Sequence, residues 1–160
     1  MKVEPQNEHR WLQKLVGRWS VEGEAAMGPD KPVEKWTADE IVESIGGLWM
    51  QCVGRGQMPG GGESTTVMTL GYDPQKQRYV GSFIGSMMTY QWVYEGTVDA
   101  AGTKLTLETI GPDFGTEGAM AHYRDVIEFV DDDHRTLTSH MQGSDGQWTP
   151  LMSAHYRRKA

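Results

Sequence analysis

From Trp19 to Arg157 the chain alternates apolar and polar residues in short runs, most of them ended by Gly, Pro or Asp. A period of two puts successive side chains on opposite faces of a strand, whereas a helix needs spacings of three and four. The alternation predicts ten strands, at roughly 19–27, 34–45, 48–56, 65–71, 78–85, 88–96, 103–109, 120–130, 135–142 and 147–157. Helical spacing occurs once, ahead of them. Trp11, Leu12, Leu15 and Val16 share one helical face, with Asn7 placed to cap its start and Gly17 to end it. This predicts a short helix over 7–17 that packs against the strands.

The punctuation sets the connectivity. Gly46-Gly47 suits a two-residue turn with positive φ, and Asp73-Pro74 opens a turn in which proline presets the backbone. Asp99 to Gly102 and Gly143 to Gly146 close two further hairpins, and Gly60-Gly61-Gly62 reads as a floppy loop. Connections this short make consecutive strands antiparallel neighbours. A meander of ten strands either splits into two sheets or closes, and closure removes its exposed edges. The expected architecture is all-β: an up-and-down antiparallel barrel of about ten strands over 19–157 with a short N-terminal helix, one domain spanning 1–160.

Register arithmetic assigns the faces of the later strands. With Ile127 opposite Leu137 and Tyr123 opposite Met141, one face holds Ala121, Tyr123, Ile127, Phe129, Leu137 and Met141. The other holds His122, Arg124, Glu128, Thr136, Thr138, His140 and Gln142. A slip of one residue would mix the two sets. Pairing Gln142 with Gln147 extends the apolar face to Trp148, Met152, Ala154 and Tyr156, and the polar face to Ser153, His155 and Arg157. In the sixth strand Met88, Tyr90, Trp92 and Tyr94 alternate with polar neighbours and are expected to face inward. The resulting candidate lumen is Met88, Tyr90, Trp92, Tyr123, Met141, Trp148, Met152 and Tyr156. Such a wall suits a flat or bent apolar ligand, with Tyr hydroxyls to orient one polar group. The same side chains can instead fill the barrel, although ten strands enclose more space than eight. The second hairpin stays undecided. With Ile45 opposite Leu48, Glu43 shares a face with Ile41, Met50 and Cys52, while Trp36, Val42, Trp49 and Val53 take the reverse. An inward Glu43 would need a partner or would titrate high.

Composition modifies this picture in two ways. Leu, Ile, Val and Phe make up fewer than a fifth of the 160 residues, but ten Met, six Trp and six Tyr supply a soft, aromatic core instead. The net charge of −7 is scattered, and no Lys/Arg run offers a phosphate-tracking stripe, so nucleic acid is not an expected partner. No apolar run approaches the roughly 18 residues of a membrane span. The start, MKVEPQNEHRW, lacks a signal-peptide core, and Cys52 is the only cysteine. We therefore expect a cytoplasmic monomer or homodimer with no membrane association.

Several segments taken together resemble a known family. His9-Arg10-Trp11-Leu12, Leu15 to Trp19, Leu70-Gly71-Tyr72-Asp73-Pro74, Gly85-Ser86-Met87-Met88, Tyr94-Glu95-Gly96 and Tyr156-Arg157-Arg158 occur in order along the chain. They are similar to the bacterial family DUF1579. The resemblance implies a calycin-like barrel related in shape to lipocalins, fatty-acid-binding proteins and haem-binding nitrobindins. It implies no activity.

Reactive constellations are scarce. His9, His122, His134, His140 and His155 do not converge in threes, so no metal site is expected. A haem, which the nitrobindin likeness would suggest, needs an inward His on a late strand; His155 is on such a strand but has outward parity. No cofactor is predicted. There is no Gly-x-Ser-x-Gly elbow, Cys52 has no nearby His in sequence, and Asp131-Asp132-Asp133 lacks calcium-loop spacing. Ile110 to Gly118, with Phe114, is either a lid or an ordinary loop. The leading reading is binding of a small apolar molecule in the lumen, with catalytic residues unknown. The alternatives are an enzyme using haem, Glu43 or His155, and a structural or protein-binding barrel.

Overall fold

The computed structural model describes residues 1–26, 30–58 and 61–160; Met27, at the end of the first predicted strand, and Gly60, in the glycine cluster, lie outside them. One α-helix, α1 (Asn7–Leu12), runs into a 3-10 turn over Gln13–Leu15. Ten strands follow: β1 (Gly17–Ala25), β2 (Glu34–Ile45), β3 (Trp49–Gln57), β4 (Glu63–Asp73), β5 (Arg78–Gly85), β6 (Trp92–Val98), β7 (Lys104–Pro112), β8 (Met120–Asp131), β9 (His134–Gln142) and β10 (Trp148–Arg158). Each pairs antiparallel with the next in sequence, and β10 returns to β1 to close the barrel. The all-β, ten-stranded, up-and-down architecture is the one the alternation predicts.

Four local departures have physical causes. The helix ends at Leu12 and is capped one residue early, by Gln6, whose backbone N–H donates to His9 Nδ1 at 2.9 Å. Asn7 instead accepts from the Arg10 guanidinium at 2.9 Å. The β2–β3 turn takes three residues, so Ile45 pairs with Trp49, with Gly46 and Gly47 supplying φ of 65° and 74°. That single extra residue settles the faces: Glu40, Val42, Met50 and Cys52 point inward, while Ile41, Glu43 and Trp49 point outward. β6 begins at Trp92, opposite Phe83, leaving 86–91 as a loop. Finally, Gln142 pairs with Trp148, and the register shifts between Pro150 and Met152. Proline has no N–H for the ladder, and a bulge beside it resets the parity.

One end of the barrel is shut. Leu12 and Leu15 are fully buried beneath it, and the helix is tied on by the Trp11 indole to Gly102 O at 2.7 Å and His9 Nε2 to Tyr72 O at 3.1 Å. Trp19 donates back to Leu15 O at 2.9 Å. Arg158 crosses the seam from β10, donating to Val16 O at 2.7 Å and to Lys14 O at 3.0 Å. The five connections between β1 and β2, β3 and β4, β5 and β6, β7 and β8, and β9 and β10 lie at the opposite end, the mouth.

Candidate functional site

The barrel is filled unevenly along its axis. Its largest fully buried side chains, Trp19, Val42, Met50, Leu70, Leu105 and Leu107, all sit in the half nearest the helix. Toward the mouth the inward positions include Gly23, Ala38, Gly54, Gly56, Thr66, Gly85 and Gly111. Two of these glycines are occupied by rings lying flat on the wall. A Cβ on Gly111 would run into the Trp92 indole, and one on Gly23 into Trp36. Glycine at each place lets the ring close against the strand.

Inward side chains at mid-height remain accessible. On β8, Tyr123 and Ile127 are 4% and 2% exposed, yet Asp125 between them keeps partial exposure. Leu137, Ser139 and Met141 on β9, and Phe83 on β5, behave likewise. The upper half of the barrel is filled less densely than the half nearest the helix.

Four sequence candidates come together at one corner of the mouth. The Trp92 ring meets Tyr123 edge-on at 4.9 Å between centroids and Tyr90 at 5.1 Å, and its Nε1–H donates to Met88 Sδ at 3.0 Å. Tyr90 and Tyr123 donate to Ile110 O and Pro112 O, pinning the corner to the end of β7. Met88 and Tyr90 belong to the loop before β6 rather than to a strand. Phe114, exposed in the loop after β7, approaches Tyr123 at 6.1 Å and Trp92 at 6.3 Å. Met141 pairs with Tyr123, and Met152 with Ser139. Tyr156 lies deeper, its ring 4.0 Å from the Arg135 guanidinium. Trp148 is the correction: the bulge turns it outward, where its ring carries Arg124 at 4.2 Å.

The interior also holds polar groups outside that apolar set. Arg135 is 3% exposed, pairs with the 13% exposed Glu40, and is stacked between Trp19 at 4.6 Å and Tyr156. Higher up, Asp125 accepts from the Tyr94 hydroxyl at 2.6 Å and from the Ser139 hydroxyl. Burial raises the Asp125 carboxyl above its ordinary value, opposed by those two hydrogen bonds; burial and then Asp125 push Tyr94 well up. Burial also raises the Cys52 thiol and the Tyr156 phenol, with Glu40 adding to both. The sequence signal for this layer was parity. Asp125, Arg135 and Ser139 interrupt the apolar face of β8 and β9 at inward positions.

The residues proposed for catalysis point elsewhere. Glu43 is exposed on the outer face, and Glu40, three residues earlier, is the inward carboxylate. His155 is exposed and hydrogen-bonds His134 at 2.8 Å outside the barrel. His122 and His140 share the outward parity of Arg124, and His9 is held in the floor, so no histidine reaches the lumen to ligate a haem. Among the described residues no three His, Cys, Asp or Glu form a metal-binding set. None of their helices is long and apolar enough to cross a membrane.

A closed ten-stranded antiparallel barrel plugged by a helix at one end fits a calycin-like description. The chain belongs to the DUF1579 family, described as a protein of unknown function, whose family model matches residues 4–158. No curated protein matches it in sequence. Among solved structures it is similar to Rv2717c from M. tuberculosis, with 12% identity and TM-score 0.68, covering 98% of this chain and 100% of that one. It is also similar to the S-type phycobiliprotein lyase CPES from Guillardia theta, with 17% identity and TM-score 0.59, covering 98% and 99%. A third is the barrel EF1p2_mFAP2b bound to DFHBI, with 12% identity and TM-score 0.51, covering 96% and 100%. At these identities the likeness is one of fold.

Proposed function

We propose that this protein binds a small, largely apolar molecule inside the barrel, admitted between the loops at the mouth. The observation that carries the reading is the uneven filling: large buried side chains below, glycines and partly accessible inward side chains above. A barrel needing only stability would carry larger side chains at those inward positions, since interiors pack densely and voids cost free energy. The contact candidates are Met88, Tyr90, Trp92 and Tyr123 at the mouth, Met141 and Met152 on the wall, and Tyr156 at depth. Trp148 is not among them. Neighbours of the same fold, one bound to DFHBI and one a phycobiliprotein lyase, are in keeping with this at the level of fold.

The test is native mass spectrometry of freshly purified protein with an absorbance scan, followed by a screen of small aromatics by calorimetry. The expected result is a retained mass lost on denaturation, or saturable binding weakened by filling the lumen with Gly54→Leu or Ala38→Phe. A bare polypeptide mass together with no saturable binding across the screen would overturn the proposal.

A further inference from the structure

The lumen contains one acid with no cation to neutralise it. Asp125 faces inward at mid-height, takes hydrogen bonds from two neutral hydroxyls, Tyr94 and Ser139, and forms no ion pair among the described residues. The other inward acid, Glu40, is matched by Arg135. We propose that the lumen selects a small aromatic or alkyl molecule carrying a basic nitrogen, whose N–H donates to the Asp125 carboxylate. This rests on the lumen being the binding site and names the ligand class it takes.

Three features support a donor rather than an acceptor or an anion. Each Asp125 oxygen has received a single hydrogen bond and can accept another. Thr109 Oγ1 is buried without a partner; Thr109 pairs with Tyr123 and is two residues from Leu107, which pairs with Asp125. That leaves an unsatisfied buried hydroxyl at an inward position diagonal to Asp125, a second polar group on the same wall. An anionic ligand, by contrast, has no counter-charge. Arg135 is engaged by Glu40 and covered on both faces by Trp19 and Tyr156, while Arg158 is spent on floor carbonyls. The rings of Trp92, Tyr90 and Phe83 suit the remainder of a cationic, flat molecule.

Calorimetric titration with three naphthalenes differing in one group tests the inference: 2-naphthylmethylammonium, 2-naphthylmethanol and 2-naphthoate. The ammonium should bind at least tenfold tighter than the alcohol, about 1.4 kcal/mol, with the naphthoate weakest. Asp125→Asn should bring the ammonium down to the alcohol and leave the alcohol unchanged; Asp125→Ser repeats the test if the first variant fails to fold. Tyr94→Phe keeps the carboxylate and should keep the preference. Equal binding of all three probes, or a preference that survives Asp125→Asn, refutes the selectivity while lumen binding stands. Failure of all three to bind refutes both.

Discussion

Replacing Glu40 by Leu tests how far the closed half of the barrel depends on one ion pair. The Arg135 guanidinium is 3% exposed, and among the described residues Glu40 is its only anionic partner. Deleting the anion leaves a buried charge held by the ring faces of Trp19 and Tyr156. Breaking such a pair costs about 3–5 kcal/mol, and the retained cation–π contacts, each about 0.5–2 kcal/mol, place the expectation near the lower figure. For a chain of this length about 3 kcal/mol lowers the Tm by about 6–12 °C. Arg135→Met should cost a comparable amount by stranding Glu40. The double variant should recover most of the loss, because the pair is imperfect: Arg135 Nε has no partner. Urea unfolding of the four proteins gives the cycle, with unchanged m-values required for a two-state comparison. Single variants within about 1 kcal/mol of the parent, or losses that simply add in the double, would refute the reasoning.

Three further outcomes follow from the same structure. Burial raises the folded-state Asp125 carboxyl, so its contribution to stability is full below the unfolded value of about 3.9 and is lost as pH rises through the raised folded value. Asp125→Asn should abolish that loss, read as a flatter pH dependence of urea midpoints; an unchanged profile would contradict it, with Tyr94, Ser139 and Tyr156 neutral throughout and His140 outside. Cys52 is buried with its thiol raised, so a disulfide reagent should modify it only after denaturation, and rapid labelling of native protein would show the β3 interior to be open. Gly111→Ala should drive the Trp92 ring off the wall into the mouth, at about 1–3 kcal/mol, with altered near-UV circular dichroism; an unperturbed signal would count against the flat-ring packing.

How much of this was legible beforehand depended on where the sequence pattern was redundant. Ten strands and their antiparallel order followed from punctuation, and the β8–β9 pairing followed because two long alternating runs tolerate no slip. The misreadings cluster where one residue decides parity. An extra residue in the Gly46-Gly47 turn separates Glu43 from the face of Met50 and Cys52 and decides an orientation the pattern leaves open, and a bulge after Pro150 turns Trp148 outward while leaving Met152 within. Neither event changes the hydrophobic pattern, so alternation alone could not reveal it. Asp125, Arg135 and Ser139 were visible as polar interruptions of an apolar face. Their partners Tyr94 and Glu40 lie 31 and 95 residues away, and no local pattern connects them.

The floor and the mouth of the barrel differ in how much a substitution disturbs. Trp19 is covered by Arg135 on one side and Arg158 on the other, so the charged groups of the floor and its aromatic core are one unit. That unit joins β1, β2, β9, β10 and the segment before β1 without reaching the mouth. Because dense packing and ion pairing are confined there, a substitution at Met88, Tyr90 or Phe114 removes little buried area from the floor and disturbs none of its hydrogen bonds. The mouth loops are thus free to change while the floor keeps the barrel closed. Asp125 stands between the two regions, where burial raises its carboxyl while the Tyr94 and Ser139 hydroxyls oppose that rise.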